Sequence, residues 1–200
     1  PEQIPAGVPE IEETVRHCRM ISLAREGKIF YATDAKHQCG GGAWALGLRE
    51  KGATLKSGEH YYKLGKYESL ASSRRTMASV PNLPQETYAT LYAPLEKAEF
   101  APDVVMIFAK PKSMLKLAQS VLFRLGGRIY PQFSGILSFC SAATAYVLLS
   151  GKPNFSLGCD GSRKFSGIAD EEMVVGFPVE MIEEVAAILP TVVNAAGSKK

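Results

Sequence analysis

Apolar positions recur at two different periods along this chain, and the changes of period mark out its elements. From Pro9 to about Arg25, Ile11, Val15, Cys18 and Ser22 fall at helical spacing, with a proline suited to the first turn and Gly27 to the stop. Lys28 to Ala32 predicts a first strand, closed by a polar turn through Thr33, Asp34 and Lys36. Residues 49–65 are loop-like, punctuated by Gly52, Gly58 and Gly65, with Tyr61 and Tyr62 as a short edge strand. Glu68 to Ser79 returns to helical spacing, with Arg74 and Arg75 on its solvated side, and Thr87 to Tyr92 alternates as a strand does.

The run Val104-Val105-Met106-Ile107-Phe108-Ala109 has no polar interruption, the pattern of a strand covered on both faces, so it is expected at the centre of the sheet. Pro111 opens a helix to Leu125, stopped by Gly126 and Gly127. Arg128 to Phe133 reads as a short strand, and Gly135 to Leu149 as a helix buried nearly all round, which makes a core position the default for Cys140. Phe155 to Leu157 and Met173 to Phe177 read as strands, and Pro178 starts a last helix whose inner face carries Ile182, Val185 and Leu189.

Strand, short loop and helix in that order predict an α/β fold. The expected architecture is a single domain over residues 1–200, with a central mixed sheet of about five or six strands and helices packed on it. Residues 1–8 form an irregular lead-in and 194–200 a frayed tail. The loop Lys110-Pro111-Lys112 falls at the carboxyl edge of the central strand, where open α/β sheets take their ligands.

Composition narrows the partners. With 46% hydrophobic residues among 200, the chain can bury a sizeable core. Its 23 basic and 20 acidic residues leave a net charge of +3, too balanced for an electrostatic footprint on nucleic acid. No apolar run reaches the ~18 residues of a membrane helix and no signal peptide opens the chain, so the expectation is a cytoplasmic protein without a membrane partner. In that setting Cys18, Cys39, Cys140 and Cys159 stay reduced, and their wide spacing is unlike the tight pairs of zinc ribbons.

Two stretches carry candidate chemistry. In Leu157-Gly158-Cys159-Asp160-Gly161-Ser162-Arg163 a thiol sits between glycines and is followed by a base. In His37-Gln38-Cys39-Gly40-Gly41-Gly42 a thiol precedes a helix start, where the macrodipole and free N–H groups favour thiolates and bind anions. The glycines serve equally for tight helix packing, and His37 reads as an exposed turn histidine. Gly40, Gly41, Gly42, Gly158, Asp160, Gly161 and Arg163 are the candidate lining of a pocket for a small anionic ligand, because Arg grips flat anions through paired hydrogen bonds. The competing reading pairs Arg163 with Asp160 or Asp170 and ties the loop down. A faint internal echo relates Cys39 and Cys140, each beside a small-residue helix.

Three function classes follow. In the first, Cys18, Cys39, Cys140 and Cys159 ligate an iron–sulfur cluster or zinc, since thiolates select such metals. In the second, the protein is a metal-free binding module or a thiol-dependent enzyme using Cys39 or Cys159 with Arg163. In the third, it is a folded domain with core cysteines and an interaction surface. Phosphate-binding, dinucleotide, zinc-protease and serine-nucleophile signatures are missing from the sequence.

The motif His37-Gln38-Cys39-Gly40-Gly41-Gly42-Ala43, with Ala45 to Leu48, is followed by Ala93-Pro94-Leu95, Pro102-Asp103-Val104-Val105, Leu157 to Arg163 with Asp170-Glu171-Glu172, and Gly176-Phe177-Pro178. In that order they resemble the uncharacterised prokaryotic family called domain of unknown function 169. Cys18, ahead of Ala24 and Gly27, resembles the family's first cysteine, so all four thiols fall on motif positions. The resemblance implies a shared fold and an upstream strand-forming segment, and implies no activity.

Overall fold

The computed structural model describes residues 3–124 and 126–192. Helices and strands mix as expected, but the strands form two small sheets rather than one. Strands β1 (Phe30–Thr33) and β2 (Ala89–Tyr92) pair antiparallel with Phe30 opposite Tyr92, and their rings stack at 5.1 Å. Strands β3 (Val104–Ala109), β4 (Asn154–Ser156) and β5 (Met173–Pro178) make a three-stranded antiparallel sheet in the order β3-β5-β4. The count of five agrees with the sequence. The mixed, single central sheet does not, because every pairing between these strands is antiparallel.

The strand at the centre is β5, and β3 lies at the edge. Val174, Val175 and Phe177 are fully buried, whereas most of β3 is half-buried. Gly176 conceals the role of β5 in the sequence by interrupting its apolar run. A Cβ there would stand 2.1 Å from the main-chain oxygen of Ala143, so glycine is what lets a helix lie directly on the sheet. With β3 at an edge of an antiparallel sheet, the expectation of a ligand site at Lys110 to Lys112 loses its premise. Lys110 instead pairs with Glu171 at 3.3 Å.

The helix over that glycine is the segment Ser138–Ala145, which is π-helical and continues into α-helical turns at Tyr146–Ser150. It starts from Leu137, the one described non-glycine residue with positive φ (52°), a conformation that costs energy and clusters at functional places. Asn154, fully buried on β4, donates to Ala142 O at 2.9 Å and fastens the segment to the sheet.

The helices, numbered in chain order, are α1 (His17–Arg25), α2 (Gly40–Ala45), α3 (Ala53–Lys56), α4 (Glu59–Lys63), α5 (Leu70–Ser79) and α6 (Pro111–Leu122), with the α-helical turns at Tyr146–Ser150 as α7. Helix α1 is shorter than its periodicity suggests. Ile11 N donates to Tyr31 O and Tyr31 N to Pro9 O, so residues 9–15 run extended beside β1, where main-chain pairing outweighs helical spacing. Tyr61 and Tyr62 lie on α4 and not on an edge strand, and residues 128–133 are irregular. The last helix, Ile182–Ile188, follows a single 3-10 turn after Pro178. Expectations for residues 1–2, Leu125 and the tail from 193 onward fall outside the described residues.

His37 is buried at 3% exposure, which corrects the exposed turn histidine expected from its setting. Its ring bonds Thr90 Oγ1 at 3.0 Å, and burial, opposed by Asp34 and aided by Arg49, lowers its pKa to about 4. His17, 5% exposed, is lowered to about 3 by burial and by His37. Both folded values lie below the ~6.5 of an unfolded histidine, so the unfolded chain binds more protons below that pH and stability falls with acidity. The unfolding free energy from urea titrations is expected to be flat above pH 7 and to drop towards pH 5, by about 2 kcal/mol for each histidine. His37→Gln should halve the slope.

Candidate thiol site

Four separate elements deliver the four thiols to one region. Cys18 is the second residue of α1, Cys39 caps α2, Cys140 is the third residue of the π-helical segment, and Cys159 caps a further helix, α8 (Asp160–Phe165). Helix α1 packs on α8 and on the π-helical segment, which in turn packs on α2. Cys18 consequently lies within electrostatic reach of Cys39 and Cys159, and Cys140 of all three others. All four are free thiols.

Local sequence explains each placement. Gly40, Gly41 and Gly42 form the first turn of α2, and the Sγ of Cys39 accepts the N–H of Gly42 at 3.4 Å. Glycine at 41 makes room for two side chains, since a Cβ there would stand 3.0 Å from Leu137 and 3.4 Å from the Tyr61 hydroxyl. At 42 a Cβ would fall between Cys39 and Cys140, 3.6 and 3.9 Å from their Cβ atoms. Gly158, with φ of 83°, turns the chain out of β4 so that Cys159 meets α8 at its cap. The stretch from Asp160 onward is thus a helix start. Cys159 N donates to Ser162 Oγ at 2.7 Å, closing a reciprocal cap.

The surroundings separate the thiols chemically. Burial, reinforced by Cys159 and Cys39, pushes Cys18 up to about 12, and burial with the same neighbouring charges raises Cys140 well above an ordinary thiol. Burial also opposes ionisation of Cys159, but the N–H groups of Ser138, Ser162 and Gly161 and the Ser162 hydroxyl together hold it below its ordinary value. Unlike Cys18 and Cys140, Cys159 sits where the thiolate is favoured. Ser138, whose buried hydroxyl has no partner among the described residues, and Tyr61, whose phenol is pushed up by burial and by Cys140, Cys39 and Cys159, complete the wall. Sequence alone singled out neither, since a serine or tyrosine in a helix carries no signal until its neighbours are known.

Arg163 stands apart from the pocket expected for it. Its terminal nitrogens donate to the main-chain oxygens of Leu157 at 2.6 Å, Ala169 at 3.0 Å and Glu172 at 3.0 Å. It ties the loop down, through carbonyls rather than through the carboxylates of Asp160 or Asp170. Asp160 pairs with Lys66. Among the described residues, no group of three or more His, Cys, Asp or Glu side chains is arranged to hold a metal ion, which leaves the iron–sulfur and zinc expectation without a built site.

The order of these residues along the chain is matched by a family model over residues 1–187, that of DUF169, described as Uncharacterised ArCR. The chain belongs to the DUF169 family. It is 43% identical over 186 residues to the uncharacterised protein MJ0308 of Methanocaldococcus jannaschii, a match covering 92% of this chain and 80% of that protein. No solved structure matches. All four thiols of this DUF169 chain lie inside the matched span, and among the described residues no helix is long and apolar enough to cross a membrane.

Proposed function

We propose that this protein is a redox or binding protein carrying a Cys-ligated iron–sulfur cluster on Cys18, Cys39, Cys140 and Cys159. The observation that carries the reading is the meeting of four thiols from four elements in one buried region. In a cluster each thiolate binds a different iron, so the four ligands can come from four separate elements, as these thiols do. The donor set suits the group. Four soft ligands sit among apolar side chains, and N–H groups of Gly42, Ser138, Gly161 and Ser162 surround the sulfurs of Cys39 and Cys159, the kind of hydrogen bonding that sets cluster potentials.

Protein isolated without oxygen is expected to be brown and to hold iron and acid-labile sulfide in equal amounts. Cys39→Ser, Cys140→Ser and Cys159→Ser should each remove most of both. Because Cys18 and Cys140 hold their protons tightly, loading of the apoprotein should also improve as pH rises from 7 to 9. Iron-free protein after anaerobic isolation and reconstitution overturns the reading.

A second reading rests on Cys159 alone. Its lowered pKa and half-buried position suit a reactive thiol in a metal-free enzyme or binding module. Fast alkylation of Cys159 by iodoacetamide at pH 7, unchanged by Cys39→Ser or Cys140→Ser, favours that alternative.

A further inference from the structure

A cleft of about 1370 Å³ is walled by both sheets, and none of the four thiols lines it. Every residue of β2 and every residue of β3 from Val104 to Phe108 borders it. Side chains of a strand alternate between its two faces, so a cleft that touches consecutive residues runs along the strand's hydrogen-bonding edge. Both edges are unpaired among the described residues, since β2 pairs with β1 alone and β3 with β5 alone.

The pairing shows which main-chain groups turn into the cleft. Tyr31 N donates to Pro9 O and Tyr31 O accepts from Ile11 N, so in β1 the main chains of Phe30 and Ala32 are the ones that face β2. Their partners Tyr92 and Thr90 face β1 in return, which turns the N–H and C=O groups of Ala89 and Leu91 outward. On the other wall Asp103 O accepts from Val179 N at 3.3 Å. Val105 and Ile107 continue that pairing with β5, and the main chains of Val104, Met106 and Phe108 turn outward. These outward groups form no hydrogen bond among the described residues.

Two rows of unmet donors and acceptors thus face one cleft. The sheet edge of a folded domain can meet only one row, because its own far side is already occupied. A linear segment of polypeptide has both edges free and can meet both. Ile21 and Ala24 of α1 and Leu148 of α7 also line the cleft, so one face of an inserted strand would rest on apolar side chains and its alternate residues would be polar. Leu148 is 40% exposed without such a cover. Carboxylates flank β2, Glu86 before it and Glu96 after it, while Arg25 is committed, lying 4.3 Å over the Phe108 ring and bonding Glu172 at 3.3 Å. Cationic ends complement that lining. We propose that the cleft binds an extended segment of a partner protein, alternating apolar and polar with a basic residue at each end, which inserts as a strand between β2 and β3 and joins the two sheets. This site is separate from the thiols and stands whether or not they hold a cluster.

Hydrogen exchange followed by amide NMR, with the peptide Lys-Val-Thr-Val-Thr-Val-Lys as probe, tests it. The amides of Leu91, Met106 and Phe108 are expected to exchange quickly in the free protein and to slow by at least about tenfold when the peptide is added. Two N-methylated peptides, one blocked at alternate positions and the other at the positions between, should each bind about tenfold more weakly, since each loses its hydrogen bonds to one wall. A peptide with glutamate in place of both lysines should weaken likewise. The protein is unaltered throughout, so no variant has to fold. No binding, slowing confined to β2 or to β3, indifference to either N-methylated peptide, or equal affinity for the glutamate peptide overturns the proposal. So does slow exchange of these amides before any peptide is added, which would mean that this chain or a second copy of it already fills the cleft.

Discussion

Gly176→Ala should leave little folded protein at 37 °C, with a loss of more than about 3 kcal/mol, because the clash it creates is between two backbones. The new methyl would lie 2.1 Å from Ala143 O and 3.1 Å from Val147, and neither the central strand nor the helix above it can yield alone. Strand β5 is hydrogen-bonded on both sides, and the π-helical segment is held to β4 through Asn154. Gly40→Ala supplies the contrast. Nothing lies within 4 Å of a Cβ at that position, which opens α2, so the exchange should be neutral or stabilise by about 0.5 kcal/mol. Urea denaturation of the two variants checks both.

Arg163→Met should cost about 1.5–3 kcal/mol, the range for hydrogen bonds from a charged donor. The loss should be local. Hydrogen exchange is expected to quicken across residues 157–172, where Arg163 bonds Leu157, Ala169 and Glu172, and to stay unchanged in α5. Arg163→Lys should recover only part, since one ammonium cannot span carbonyls that a flat guanidinium reaches together. Uniform exchange in Arg163→Met would show that the loop is held by other contacts.

The sequence made local structure legible where one interaction dominated. Pro111 at the start of α6 and Gly27 ending α1 are each set by a single residue's backbone chemistry, and each stands where the pattern puts it. The apolar run of β3 was found, but its place was not. Continuous apolarity reports that both faces are covered and says nothing of which edge is paired. Residues 9–15 misled for a related reason: their period is helical, yet their main chain is claimed by β1. The glycines at 40–42 announced a close approach without naming Leu137 and Tyr61 as what approaches. Likewise Arg163 looked like a ligand-binding cation because sequence shows charge and hides the carbonyls that occupy it.

The π-helical stretch at Ser138–Ala145 adds a constraint on chain length rather than on residue type. A π-turn accommodates more residues than an α-turn, so the segment carries a surplus that its hydrogen bonding absorbs. Removing one residue just after Cys140 would let an ordinary helix form and would turn the neighbouring residues by about 100° about its axis. Cys140 would keep its place, while Ala142 and Ala143 would turn away from Asn154 and Gly176. Insertions and deletions here are thus far more disruptive than most single exchanges, and the spacing between Leu137 and Asn154 is a count that the fold holds fixed.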